Sequence, residues 1–188
     1  MALRAAPGGR TVARLGGTTE FGSQRIFSVT ERRGRWLGVE THLRPNDKLA
    51  WVDARGSALK LSSTRMSLHA DLSRRVLELR AGRRVVRRAR VSVGRPGSFT
   101  PTGRFAVTDK LSGRRYGSYY GCCILAMSGT QPNLPAGWTG GNRLAIHGTN
   151  APGSIGRAAS AGCLRAADGS LRTLMRRVPV GAPVFVRR

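Results

Sequence analysis

The sequence predicts a mainly β protein with one clear helix close to its C-terminus. Three observations carry this. Short runs of alternating apolar and polar residues, separated by tight turns, recur between about residues 25 and 107. Only Leu171, Leu174, Met175 and Val178 show the i, i+3, i+4, i+7 spacing of an amphipathic helix. The longest stretch poor in charge, Gly117 to Gly141, is broken by proline, glycine and polar residues, so it cannot form a long apolar element.

The elements follow in order. Residues 1–62 read as a small β region. Arg25 to Glu31, the turn at Arg33-Gly34 and Trp36 to Glu40 form a hairpin pattern, and Leu49 to Val52 a further strand after the Pro45-Asn46-Asp47 turn. This part resembles a bacterial Src-homology-3-like barrel; an irregular β extension packed on the main domain fits the same residues. Residues 63–188 read as the principal domain. Ser67–Leu72 and Val76–Leu79 flank a turn at Ser73 to Arg75, and Val85-Val86 with Ala89–Val93 continues an antiparallel meander. The loop GRPGSFTPT ends at Thr102 and leads to a strand at Gly103–Thr108. Leu144 to Ile146 is a short strand running into His147. Asp168 is the expected cap of the helix, Pro179 and Gly181 stop it, and Pro183 to Val186 is the last strand.

Composition narrows the function. The net charge is +24, and only Lys48, Lys60 and Lys110 are lysines, so the excess is arginine. Such charge attracts nucleic acid, anionic lipid or acidic wall polymers. The arginines are spread along the chain, which favours solvated faces. A specific nucleic-acid role lacks a zinc-finger spacing, a basic zipper or an aromatic sheet motif. No transmembrane segment of about 18 apolar residues is present. The N-terminus has no signal-peptide apolar region of about 7–15 residues, so an extracytoplasmic role requires another route or a leader removed. Three cysteines cannot build a disulfide scaffold. Adjacent Cys122 and Cys123 are poorly placed to bond each other and read as buried strand residues. No zinc spacing joins the cysteines to His69 or His147, so neither metal nor cofactor is expected. His69 has no partner in sequence and reads as structural.

One segment carries chemistry. Ile146-His147-Gly148 ends a strand, a loop containing Pro152, Gly153 and Gly156 follows, and Ser160-Ala161-Gly162-Cys163-Leu164-Arg165 precedes the helix. A free thiol has a pKa of about 8.5 and is mostly protonated at neutral pH, so a nucleophilic cysteine needs a base. His147 is that candidate base for Cys163 if the glycine-rich loop brings them together. Gly162 leaves the sulfur unobstructed, and backbone amides around Ala161, Gly162, Cys163 and Gly148 are candidate oxyanion donors. A buried cysteine and a hydrogen-bonded histidine would account for this pair alone.

The whole pattern resembles the L,D-transpeptidase catalytic domain of bacterial peptidoglycan cross-linking enzymes. The likeness is carried by His147-Gly-Thr, Ser154-Ile-Gly and Ser160-x-Gly-Cys163-Leu-Arg165. Upstream it includes Val91 to Gly94, Thr100-Pro-Thr-Gly103-x-Phe105, Tyr116-Gly117 and Gly140-Gly141; downstream, Val178 to Val184. It runs in order from about residue 67 to 186. It implies a β-rich catalytic domain with Cys163 as nucleophile and His147 as base, acting on peptidoglycan stem peptides. Cys163 would take the acyl group of a tetrapeptide donor and pass it to a second stem, giving a 3→3 cross-link. Ser160, Arg165 and Tyr116 become candidate substrate contacts, and carbapenem-type β-lactams candidate covalent inhibitors. The cell wall is the expected location. The family commonly has a histidine where Ala161 stands. The alternatives are a thiol L,D-carboxypeptidase acting on the same bond, or a wall-binding module with weakened catalysis.

Overall fold

The computed structural model describes residues 1–56 and 59–188. Its strands are β1 (Ala2–Arg4), β2 (Thr11–Arg14), β3 (Val29–Arg33), β4 (Trp36–Val39), β5 (Ala50–Asp53), β6 (Met66–Asp71), β7 (Val76–Ala81), β8 (Arg84–Gly94), β9 (Gly103–Ser112), β10 (Cys123–Thr130), β11 (Arg143–His147), β12 (Ala158–Ser160), β13 (Leu164–Ala166) and β14 (Pro183–Arg187). Helix α1 (Asp168–Arg177) lies between the last two.

The first five strands form one antiparallel sheet in the order β2-β1-β5-β4-β3. Its small core is Leu3, Val39, Ala50 and Val52, with Val12, Phe27 and Leu59 packed alongside. The remaining strands form a second sheet, and the β7–β8 pairing closes eight of them into a barrel: β8-β13-β11-β10-β9-β14-β6-β7. Closure removes the exposed edges that an open sheet would present. Inward residues alternate along the strands as a half-buried sheet requires: Leu68 and Ala70 on β6, Leu77 and Leu79 on β7, Val184 and Val186 on β14 are all buried.

The protein is mainly β with one helix. The expected antiparallel meander runs through β6, β7 and β8, and a second one runs through β9, β10 and β11. Three pairings are parallel, β11–β13, β12–β8 and β14–β6; in the first, the glycine-rich loop carries the chain back to the starting end of β11 before β13 begins. Leu171 and Leu174 of α1 are buried in the barrel's core cluster with Cys123, Leu125 and Met127.

Two local expectations are corrected. Asp168 does not cap α1; Ala167 holds the cap position without a side-chain bond, and the Asp168 carboxylate instead accepts the Cys122 N–H at 3.1 Å. Cys122 and Cys123 are joined as a disulfide. Cys123 is buried at the start of β10, as expected of a strand residue. Cys122 lies just outside the strand, after Gly121 at φ +58° and anchored to Asp168, where the backbone is not yet pleated and both sulfurs meet.

Candidate active site

Two parallel strands set the site. β11 and β13 pair with Ile146 opposite Leu164 and His147 opposite Arg165. Strand alternation sends Leu144, Ile146, Leu164 and Ala166 into the barrel core, where each is at most 2% exposed. The same alternation puts Arg143, Ala145, His147, Cys163 and Arg165 on the opposite face. His147 and Cys163 therefore share one face as diagonal neighbours, although sixteen residues separate them in the chain.

His147 is fully buried. Its Nδ1 lies 2.6 Å from the Gly148 carbonyl, an acceptor only, so Nδ1 carries the proton and Nε2 presents its lone pair. Among the described residues Nε2 has no hydrogen-bond partner. Tyr120 packs edge-on to the ring at 4.9 Å and Tyr119 lies at 5.7 Å. Burial lowers the His147 pKa to about 4; the Gly148 carbonyl opposes this and the Arg165 charge adds to it. The half-buried Cys163 thiol is pushed up from its ordinary value, again chiefly by burial, with the Ala145 N–H and Arg165 pulling the other way. Its sulfur lies 4.0 Å from the Arg143 carbonyl. Both groups therefore rest uncharged.

The cysteine loop is held from within and from below. Ser160, 1% exposed, accepts the Gly162 N–H at 3.1 Å through Oγ and donates to the Cys163 carbonyl at 2.6 Å. Gly162 adopts φ +120°, in the region favouring glycine. Below it, Gln131 Nε2 lies 3.3, 3.0 and 3.1 Å from the carbonyls of Ser98, Phe99 and Ala161, and Oε1 accepts the Asn133 N–H. This amide straps the proline-glycine loop to the cysteine loop.

Of the amides considered as oxyanion donors, Gly162 is bonded to Ser160 and Gly148 donates to the Cys123 carbonyl at 3.1 Å. Arg165 is 8% exposed, its guanidinium 4.6 Å over the Tyr119 ring and bonded to that hydroxyl, so it faces an internal partner. Tyr116 is 42% exposed and stands at the rim, edge-on to Tyr120 at 6.4 Å and to Phe21 at 6.2 Å. His69 lies on the barrel's outer face, stacked on Phe185 at 4.8 Å and bonded to Ser67. Among the described residues no three His, Cys, Asp or Glu side chains converge as a metal site would require.

Several site residues escaped the sequence reading. Tyr119 and Tyr120 sit within the low-charge stretch but gave no periodic signal; Gln131 gave none at all. The segment around Thr18 to Gln24, between β2 and β3, also reaches the rim. Phe21 lies over the Arg143 guanidinium, Glu20 pairs with the same guanidinium, and Thr19 donates to buried Asp109 at 2.5 Å.

Fold and site together define a class: a closed β barrel presenting a cysteine loop beside a histidine-bearing strand. Residues 65–186 match the model of the L,D-transpeptidase catalytic domain, and the chain belongs to that family. It is 31% identical over 118 residues to YkuD of Bacillus subtilis (strain 168), which bears an L,D-transpeptidase name, covering 63% of each chain. YqjB of the same organism is 31% identical over 105 residues, 51% of this chain and 56% of YqjB. The chain thus spans less than two thirds of either relative. Among solved structures, L,D-transpeptidase 3 of Mycobacterium tuberculosis, in complex with a faropenem-derived adduct, superposes with a TM-score of 0.54 at 17% identity, covering 76% of this chain and 74% of that one. The Enterococcus faecium L,D-transpeptidase C442S mutant gives 0.51 at 19% identity, covering 65% and 50%. At these identities the likeness is one of fold. No helix among the described residues is long and apolar enough to cross a membrane.

Proposed function

We propose that the chain is a peptidoglycan L,D-transpeptidase acting at the cell wall, outside the cytoplasm, with Cys163 as nucleophile and His147 as base. The reading rests above all on the unpartnered, proton-accepting Nε2 of His147 on the face it shares with Cys163. His147 Nε2 takes the thiol proton as sulfur attacks the carbonyl of the third residue of a tetrapeptide stem. The amide bond to the terminal D-alanine breaks, and its nitrogen leaves with the proton held on His147. The side-chain amine of a second stem then attacks the thioester, loses a proton to His147 and expels the thiol, giving a 3→3 cross-link. Developing charge on the carbonyl oxygen falls to the amides of Cys163 and Ala161, since those of Gly162 and Gly148 are already engaged. A backbone donor needs no particular side chain, so Ala161 serves where the family commonly has histidine. Ser160 supports the loop, Arg165 fixes Tyr119, and Tyr116 lines the entrance. Residues 1–62 form a small unit whose Thr18 to Gln24 segment walls the cleft.

Incubation with a disaccharide-tetrapeptide, followed by mass analysis of protein and products, tests this. The expected result is a stem adduct on the wild-type protein, absent from Cys163→Ala, with cross-linked dimer as product. Monomer shortened by one alanine would mean a carboxypeptidase, and a wild-type protein that never forms an adduct would mean a wall-binding module. A carbapenem is expected to acylate Cys163; a label mapped to Cys122 or Cys123 would count against the assignment.

A further inference from the structure

The arginines, although found along the whole chain, are much denser between residues 74 and 90 than elsewhere. Eight of them, Arg74, Arg75, Arg80, Arg83, Arg84, Arg87, Arg88 and Arg90, belong to the β7–β8 hairpin and the turn that enters it. All but the half-buried Arg80 are exposed. The one acidic residue between Ser73 and Arg90 is Glu78, which is bridged by Arg80 and Arg88. Among the described residues the other six arginines enter none of the ion pairs.

Pairing fixes how these charges are laid out. Val76 faces Arg90 and the Val91 N–H donates to the Arg75 carbonyl, so Arg74, Arg75 and Arg90 gather at one end of the hairpin. Ala81 faces Arg84, which gathers Arg83, Arg84 and Arg87 at the other. Six residues of strand make this a strip roughly 20 Å long. It runs into the catalytic rim. β8 continues past Arg90 to Gly94, pairs there with β13 and β12, and the Arg90 guanidinium lies against Gly156 of the loop joining His147 to Cys163. Guanidinium groups match phosphate oxygens in geometry and charge, and an extended row of them suits a chain of regularly spaced anions. The strip carries no aromatic side chain on which a base would stack.

We propose that this hairpin is a docking strip for a linear phosphodiester polymer attached to the wall, which holds the enzyme beside its stem peptides. The choice of a wall-attached polymer rests on the function proposed above; the strip's affinity for a phosphate chain does not. The test is co-sedimentation of the full chain with sacculi that bear a phosphodiester polymer and with the same sacculi stripped of it by hydrofluoric acid. Two variants of equal net charge are compared. One replaces Arg74, Arg83, Arg84 and Arg87 with Gln; the other replaces the scattered Arg10, Arg14, Arg176 and Arg177 with Gln. The strip variant is expected to bind polymer-bearing sacculi about tenfold or more weakly, with a shallower salt dependence. The scattered variant should bind nearly as wild type, and stripping should erase the difference. Equal losses in both variants, or undiminished binding to stripped sacculi, would overturn the proposal. So would tighter binding to duplex DNA or phosphatidylglycerol vesicles than to polymer-bearing sacculi. Turnover of soluble tetrapeptide is measured alongside and should be unchanged in both variants. If no protein turns it over, the proposed reaction fails while the sedimentation result still judges the strip.

Discussion

Gln131 lies directly beneath Gly162, so close that a β-carbon on residue 162 would overlap the glutamine's amide nitrogen. One contact thus joins the loop that presents the sulfur to the strap beneath it. Gly162→Ala is expected to displace either the strap or the loop, since φ +120° already disfavours a side chain. Acylation by a tetrapeptide donor should fall about a hundredfold or more, a loss typical of misplaced reacting groups. An alanine variant within a few-fold of wild type would show that the loop tolerates the shift.

Ser160→Ala removes the hydroxyl that accepts the Gly162 N–H and donates to the Cys163 carbonyl. Both backbone groups lose their partner in a buried place, at about 1–3 kcal/mol. Urea melts should show this loss together with slower acylation. Unchanged stability with lost activity would instead give Ser160 a direct part in binding substrate.

The pH dependence of folding offers a separate check on His147. Its pKa is about 4 in the folded protein against 6.5 for a free imidazole side chain. Between those values the unfolded chain holds a proton that the folded one lacks. Stability from this residue is complete above about pH 6.5 and is lost as pH falls towards about 4, amounting to roughly 3 kcal/mol. His147→Gln should abolish that part of the slope, so the stability difference between variant and wild type should change between pH 7 and 4.5. A constant difference would place the folded pKa near the ordinary value.

A neutral resting pair also predicts the reactivity of the sulfur. The Cys163 thiol is raised by burial, so alkylation by iodoacetamide in the free enzyme should keep accelerating above pH 8. A plateau reached below pH 7 would reveal a preformed thiolate and imidazolium. Turnover should decline on the acid side only near pH 4, where Nε2 takes a proton.

Much of the barrel is legible because local signals agree with their surroundings. β6, β7 and the single helix stand close to where the sequence places them; the likeness carried by Gly103 to Phe105 lies on β9, and that from Val178 to Val184 runs from the end of α1 into β14. The N-terminal β1 and β2 were not expected: Ala2–Arg4 and Thr11–Arg14 are short, lack alternation and become strands only through their neighbours. Three-residue β12 and β13 depend on β8 in the same way. His147 and Cys163 stand out because their chemistry is distinctive. Gln131 does not, because a glutamine acquires its role only when three distant carbonyls converge on it. Asp168 shows the opposite case: a fitting cap by sequence, drawn away by the Cys122 amide.

The pairing of the final strand with β6 bears on mechanical load. Because β14 lies parallel to β6, Val184 faces Leu68 at one end and Arg187 faces Asp71 at the other. The two ends of the barrel's chain therefore leave from opposite poles of neighbouring strands. Tension applied between them drags the strands past each other, and all the ladder bonds must give way together, whereas an antiparallel terminal pair would unzip one bond at a time. Load applied across these two ends would meet resistance along the barrel's strongest direction.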